Sequence, residues 1–242
     1  MNTPVNTAKK RSLIKRIFIY LGYLILALAL LALVAKYVWR YSGDGHWKLE
    51  IDRDGVQVYS KKDSGSSLLK YKTIRRVNYP LQQLVASIKD TTLQNCKDWF
   101  PECISMETLK EWDPATLSHT HVWTMGFGEP LTPRDLVVEQ KFTQDPVTKS
   151  ALVEITAKPD LIPERDCCVR IPRMNNTWRY TPLENGEVEV EFVQDSDFGG
   201  MIPDFMMNMD GAEMNHYFIS EAWLELVDQE KYRNASFDFI VE

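Results

Sequence analysis

Hydrophobic positions change their spacing several times along this chain. Residues 17–35 (IFIYLGYLILALALLALVA) run nineteen positions without a charge. At about 1.5 Å rise per residue, a helix of that length nearly spans a hydrocarbon core of about 30 Å. Ser42-Gly43-Asp44-Gly45 follows as a short flexible joint. Residues 47–51 and 55–60 read as a hairpin across Asp52-Arg53-Asp54, with Val56 and Val58 alternating, and residues 69–77 as a third strand. Residues 80–89 (PLQQLVASIK) shift to helical spacing, with Leu81, Leu84, Val85 and Ile88 on one face and a proline at the start. A second short helix ends near CKDWFPEC.

Period two then dominates. His121, Trp123, Met125 and Phe127 share one strand face, and Leu136, Val138, Gln140 and Phe142 share the next. Residues 151–157 offer Val153 and Ile155, and strands over 169–171, 177–181 and 188–194 follow. The last sends Val188, Val190 and Phe192 inward and Glu187, Glu189 and Glu191 outward, as in a sheet wet on one side. After Gly199-Gly200, Pro203 opens a helix predicted to reach about residue 230. Phe205, Met209, Ala212, His216, Ile219, Trp223 and Leu226 form its stripe. Gly211 inside it suggests a close approach or a bend. The spacing therefore predicts an α+β chain: an antiparallel sheet with one apolar face and one C-terminal helix long enough to cover it.

Charge divides the chain. Seven of its 28 Lys/Arg and none of its 34 Asp/Glu fall in the first 42 residues, so the other 200 carry a formal charge of −13. An acidic domain of that size argues against nucleic acid as a partner. Lys9, Lys10, Arg11, Lys15 and Arg16 precede the apolar run, and Lys36, Arg40 and Lys48 follow it more sparsely. The positive-inside rule places the N-terminus in the cytoplasm and the C-terminal domain outside, with Tyr37, Trp39 and Tyr41 at the interface. A cleaved signal peptide is the rival, but its apolar region runs about 7–15 residues and no small-x-small site follows Val34. The expected organisation is a basic cytoplasmic tail over 1–16, an uncleaved single-pass signal anchor over 17–38, and one periplasmic or otherwise extracytoplasmic domain over 45–232, held at the inner (plasma) membrane. Cys96, Cys103, Cys167 and Cys168 allow bridges there, but buried thiols fit equally. Were residues 167–168 a strand, the two adjacent cysteines would point to opposite faces.

No phosphate loop, GxSxG or HExxH is present. His119 and His121 form an HxH pair, but no Asp/Glu/Cys cluster accompanies it. Met206, Met207 and Met209, with His216 nearby, make a copper(I)-handling periplasmic protein one alternative. Two of those methionines are needed for burial, so no metal or other cofactor is assigned.

Five stretches in order carry a resemblance: WKLEIDRDGVQVYSKK (47–62), WFPEC (99–103), PLTPRDLVV (130–138), VRIPRMNNTWRYTPL (169–183) and DFGGMIPDFMMN (197–208). Together they resemble the START lipid-transfer domains of bacterial type over about residues 45–230. The resemblance implies a helix-grip fold, in which a curved antiparallel sheet grips the long C-terminal helix around a tunnel for one lipid or similar hydrophobic molecule. It implies a monomeric carrier or sensor that does no catalysis. A cyclase- or hydrolase-type helix-grip enzyme is the other alternative, and the shortage of acid, base and nucleophile on inward faces argues against it. By position, Trp123, Met125, Val138, Phe142, Ile155, Ile171, Trp178 and Phe192 would line the tunnel. Phe205, Met206, Met209 and Trp223 would close it. Leu131, in a gate loop over 128–133, and Met201 and Ile202, before the lid helix, would touch a bilayer. Some steroid-handling members carry a Glu–Arg pair in the tunnel; His121 and Gln140 stand there in this chain, as a polar spot for the ligand or as partners of each other.

Overall fold

The computed structural model describes residues 6–242, with side chains from Ile14 onward. Residues 1–5 of the predicted basic tail, and the side chains of Lys9, Lys10 and Arg11, lie outside the described residues. The chain divides into two compact units, residues 1–45 with 63–67, and residues 46–62 with 68–242.

The first unit is dominated by α1 (Asn6–Tyr41). Its segment Ile14–Tyr41, 28 residues with none of it buried and an 18-residue stretch of mean hydropathy 2.8, is long and apolar enough to cross a membrane. Lys and Arg are good helix formers, so the basic flanks extend the helix beyond the nineteen-residue apolar run. Its C-terminal end is tied to loop 63–67: Trp39 Nε1 donates to Ser67 O, and Arg40 Nε to Gly65 O, both at 2.9 Å.

The second unit is an antiparallel sheet with helices on one face. Its strands are β1 (Trp47–Arg53), β2 (Val56–Lys61), β3 (Lys70–Val77), β4 (Cys103–Asp113), β5 (Ser118–Met125), β6 (Arg134–Gln144), β7 (Ala151–Ala157), β8 (Val169–Arg170), β9 (Arg173–Pro182), β10 (Val188–Gln194) and β11 (Ser196–Asp197). Their order is β1-β2-β3-β10-β9-β7-β6-β5-β4, with β8 alongside β6 and β11 alongside β9. The first hairpin turns at Asp54-Gly55, both at positive φ, as a two-residue turn requires. α2 (Leu81–Lys89) and α3 (Leu93–Trp99) interrupt the meander, so β3 pairs with β10 instead of β4. β4 itself has no counterpart in the predicted pattern. Three register irregularities against β5 break its alternation.

The C-terminal helix is segmented where an unbroken one was predicted. α4 (Asp204–Met209) ends at Asp210, and α5 (Gly211–Tyr217) begins at a new angle. A π-helical turn (Phe218–Ala222) leads into α6 (Trp223–Val227), and α7 (Glu230–Arg233) follows. The bend has a steric cause. A Cβ at Gly211 would lie 2.3 Å from the Tyr71 ring, so the backbone rests directly on β3. Tyr71 OH donates to Asn208 O at 3.1 Å and Leu69 N to Asn208 Oδ1 at 2.9 Å, which pins α4 at the bend. Carbonyls left by the π turn are taken by Arg75, whose Nη1 donates to Ser220 O at 2.9 Å and Ile219 O at 3.2 Å.

Packing continues past the predicted boundary at residue 232. Ile240 is buried, Phe237 and Phe239 lean on the core, and the Glu242 carboxylate accepts from Leu81 N and Gln82 N at 2.9 Å. That carboxylate caps α2, whose Pro80 has no side-chain oxygen to do so. Both cysteine pairs are bridged, Cys96 to Cys103 and Cys167 to Cys168. Residues 167–168 form a turn, so the opposite-faces expectation for a strand does not apply.

Candidate functional site

Cross-strand register fixes which side chains share the inner face. Val58, Thr73, Phe192, Trp178, Val153 and Phe142 stand on adjacent strands at one level. The next level is polar: Ser60, Tyr71, Gln194, Asn176, Gln140 and His119, interrupted by Ile155. Beyond it come Ala157, Val138 and His121, then Leu136 and Trp123, then Arg134 and Met125. A polar band therefore divides the apolar face in two.

The predicted lining residues fall on both sides of that band. Phe142, Trp178, Phe192 and Trp223 belong to the larger core, roofed by Ile219, Trp223, Leu226 and Val227 of the C-terminal helix. There the rings fill the interior. Trp178 stacks on Phe192 at 4.3 Å and meets Trp223 at 5.4 Å and Trp99 at 5.8 Å between centroids. Trp123, Met125, Val138 and Ile171 belong to a second cluster with Leu136, Met174 and Ala157, and Ile155 packs against both clusters. The second cluster's remaining members, Phe100, Phe127 and Phe198, come from loops, and no residue of Asp204–Arg233 belongs to it. Phe127 contacts Phe198 and Phe100, each at 5.7 Å. Phe127 precedes Gly128, and Phe198 precedes Gly199-Gly200, all three glycines at positive φ.

Phe205, Met206 and Met209, predicted to close the tunnel, point outward instead, 62%, 55% and 72% exposed. The bend over Tyr71 turns α4 off the sheet, which a continuous helical stripe did not anticipate. Met201 is 94% exposed, Leu131 is exposed and Ile202 half-buried. His216 does not join the methionines. Its Nδ1 lies 3.5 Å from Arg53 Nη2, with Asp54 also nearby. Among the described residues no group of three His/Cys/Asp/Glu is placed to hold a metal ion.

Gln140 pairs with a different histidine from the one expected. Register sets His119 opposite Gln140 and His121 opposite Val138. His119 Nε2 accordingly donates to Gln140 Oε1 at 2.6 Å. His121 is fully buried, and neither ring nitrogen has a partner; Trp123 Nε1, next along the face, has none either. Buried polar atoms left unpaired are costly, and Thr73 Oγ1, Tyr180 OH and Trp223 Nε1 on the larger-core side are left so as well. Burial, and then the neighbouring His119, push the His121 pKa down to about 3. The unfolded chain thus takes up a proton near pH 6.5 that the native protein refuses. Stability is full above that value and falls as pH drops toward 3. One pKa unit is 1.36 kcal/mol, so His121 should cost about 2 kcal/mol between pH 8 and pH 5. We predict that His121→Leu flattens the pH dependence of urea unfolding by about that amount. An unchanged slope in the variant would contradict the assignment.

Leu136 and Phe127 stood on the predicted strand faces, but the sequence did not signal Met174, Phe198 or Phe100 as members of this cluster. Nor did it signal the buried ion pair beneath that cluster. Arg170 Nη2 and Nε donate to Asp135 at 2.8 and 3.0 Å, and the same guanidinium binds the carbonyls of Pro159, Ile162 and Pro163. This pair fastens residues 159–163 to the start of β6. The adjacent letters RD were visible, but nothing in them signalled Arg170. Two surface clefts lie elsewhere, one around Tyr79–Gln82 and Leu183, the other around Pro159–Glu164.

The fold has counterparts. A START-domain model matches residues 29–231. A STAR-related lipid transfer protein fragment from Xanthomonas axonopodis superposes with a TM-score of 0.65 at 26% identity, covering 76% of this chain and 99% of that one. Human STARD10 gives a TM-score of 0.65 at 14% identity, over 81% of this chain and 80% of its own. Human StAR-related lipid transfer protein 5 gives 0.63 at 16%, over 84% and 97%. An uncharacterized Pseudomonas aeruginosa protein is 27% identical over 165 residues, 67% of this chain and 77% of its own length. With its antiparallel sheet, C-terminal helix and apolar interior, this chain belongs to the START family of lipid- and hydrophobic-ligand-binding domains.

Proposed function

We propose that this protein is a membrane-anchored carrier or sensor that holds one lipid in the second cluster and performs no chemistry on it. One observation carries the reading: a second apolar cluster covered by loop aromatics instead of the C-terminal helix, with the unpartnered His121 and Trp123 nitrogens on the same sheet face. Apolar burial at roughly 25 cal/mol per Å² supplies the affinity. His121 and Trp123 offer a hydrogen bond to a hydroxyl or ester of the ligand. No hydrogen bond or ion pair links His121 to a carboxylate or hydroxyl, so nothing activates it as a base.

The apolar run over 17–35, with basic residues before it, supports a single-pass anchor over 17–38 with the N-terminus in the cytoplasm and the domain over 45–232 outside. The tether keeps the domain at its lipid source and raises the local concentration there. The exposed apolar set on and before α4, with Leu131, supports a membrane-contacting lip. The lip assignment is tested by transfer kinetics. In proteoliposomes of the full chain, Met201→Asp/Phe205→Asp/Met209→Asp should slow lipid transfer to acceptor vesicles by at least about tenfold, since even one buried apolar side chain is worth about 1.5–3 kcal/mol. Its melting temperature should not change. A variant that transfers at the wild-type rate removes these residues from the contact surface.

The carrier reading is tested with photoactivatable lipids added to the full chain in nanodiscs. Saturable crosslinking of one lipid per chain within residues 68–242 is expected. No saturable crosslink from a panel of phospholipids, diacylglycerol, fatty acid and sterol would sink it.

A further inference from the structure

Arg134 is the first residue of β6, on the inner face opposite Met125. It is 2% exposed, yet no carboxylate pairs with it. The acid beside it, Asp135, is taken by Arg170. Only one of its hydrogen bonds is made within the chain, from Nη1 to Thr132 O in the gate loop. Nε is buried without a partner. The guanidinium lies over the Phe127 ring, 4.9 Å from its centroid, and so beneath the roof of the second cluster. On its other side the backbone at Gly200 comes close: a Cβ there would lie 3.1 Å from Arg134 Nη2. Two of the three loops that cover the cluster, those of Phe127 and Phe198, therefore meet at this one cation.

A buried cation without a counter-charge is expensive, and a fold retains one where something else supplies the charge. The guanidinium fork matches the paired oxygens of a phosphate or carboxylate. The surrounding domain, at −13 over residues 43–242, repels free anions, so an anion held here needs a cation of its own and gains from an apolar tail. We propose that Arg134 receives the oxyanion of an acidic amphiphile whose chains occupy the second cluster. This rests on the carrier reading and adds the charge class of the ligand to it. Binding would also hold the Phe127 and Phe198 loops in their present contact over the head group, since both abut the same guanidinium.

The test uses the full chain in phosphatidylcholine nanodiscs, with diazirine-bearing phosphatidic acid and diacylglycerol of identical chains. A charge-assisted bond is worth enough that wild type should crosslink phosphatidic acid at about tenfold lower concentration than diacylglycerol. Arg134→Met should erase that preference and leave diacylglycerol crosslinking within about twofold; Arg134→Lys should keep part of the preference. Excess inorganic phosphate tells the sources apart. Failure to compete assigns the site to a lipid-borne oxyanion, and full competition overturns that assignment in favour of a free anion. Equal wild-type crosslinking of both lipids overturns the inference even if Arg134→Met does not fold. A Met variant that loses both lipids equally, at an unchanged melting temperature, overturns it as well. Crosslinking of neither lipid sinks the carrier reading itself, and this inference with it.

Discussion

Replacing Trp223 with alanine is expected to cost about 3–5 kcal/mol of folding stability, the range for deleting a fully buried aromatic. Trp223 is 0% exposed and sits where α6 meets the sheet, against Trp178 and among Ile219, Leu226 and Val227. Its neighbours are held from several directions: Trp178 by Phe192 and Trp99, and Phe218 by Trp99 and Phe192. Such a cage collapses poorly into the space a tryptophan vacates, which keeps the cost high. Urea unfolding of the full chain followed by tryptophan fluorescence measures it. A loss below about 1 kcal/mol would mean that this half is loosely filled and available to a ligand. In that case the division of the interior into a structural half and a binding half would be wrong.

The second large effect concerns binding. Ala157 is the smallest residue on the wall of the second cluster, on β7 opposite Val138, and it is half-buried. A tryptophan there projects into the chamber. Overfilling a packed site costs about 1–3 kcal/mol, so a ligand that must share the space loses about ten- to a hundredfold in affinity. Ala157→Trp should therefore stop lipid crosslinking at concentrations that saturate wild type, with the melting temperature held within a few degrees. Wild-type uptake by a folded Ala157→Trp variant would place the ligand elsewhere.

These two variants bear on what the sequence disclosed. Strand periods and the C-terminal stripe were legible because each inner-face residue repeats at its own spacing: Val188, Val190 and Phe192 on β10, and Ile219, Trp223 and Leu226 on the helix. The resemblance carried by five short stretches supplied the topology that periodicity leaves open. The division of the interior was not legible. Nothing in a list of inward residues says that Trp178 and Phe192 fill the space while Val138 and Ile171 line a second cluster, because that depends on which strands lie side by side. The outward turn of α4 was hidden for a related reason. Gly211 signalled a bend or a close approach, but its direction is set by Tyr71, 140 positions away in the chain. His121 was found as a polar spot, but its partner was misassigned, since a strand offset of two residues decides whether Gln140 meets His119 or His121. Arg134 carried no sequence signal beyond its place before Asp135. Its interest lies in the missing counter-charge, which only packing reveals.

The central claim is that the ligand lies beyond the polar band, in the cluster under Phe127 and Phe198. Residue-level mapping of the photocrosslinked lipid tests it most directly. The account predicts adducts on Met125, Val138, Ile171 or Met174. Adducts confined to Trp178, Phe192, Phe218 or Trp223 would contradict it.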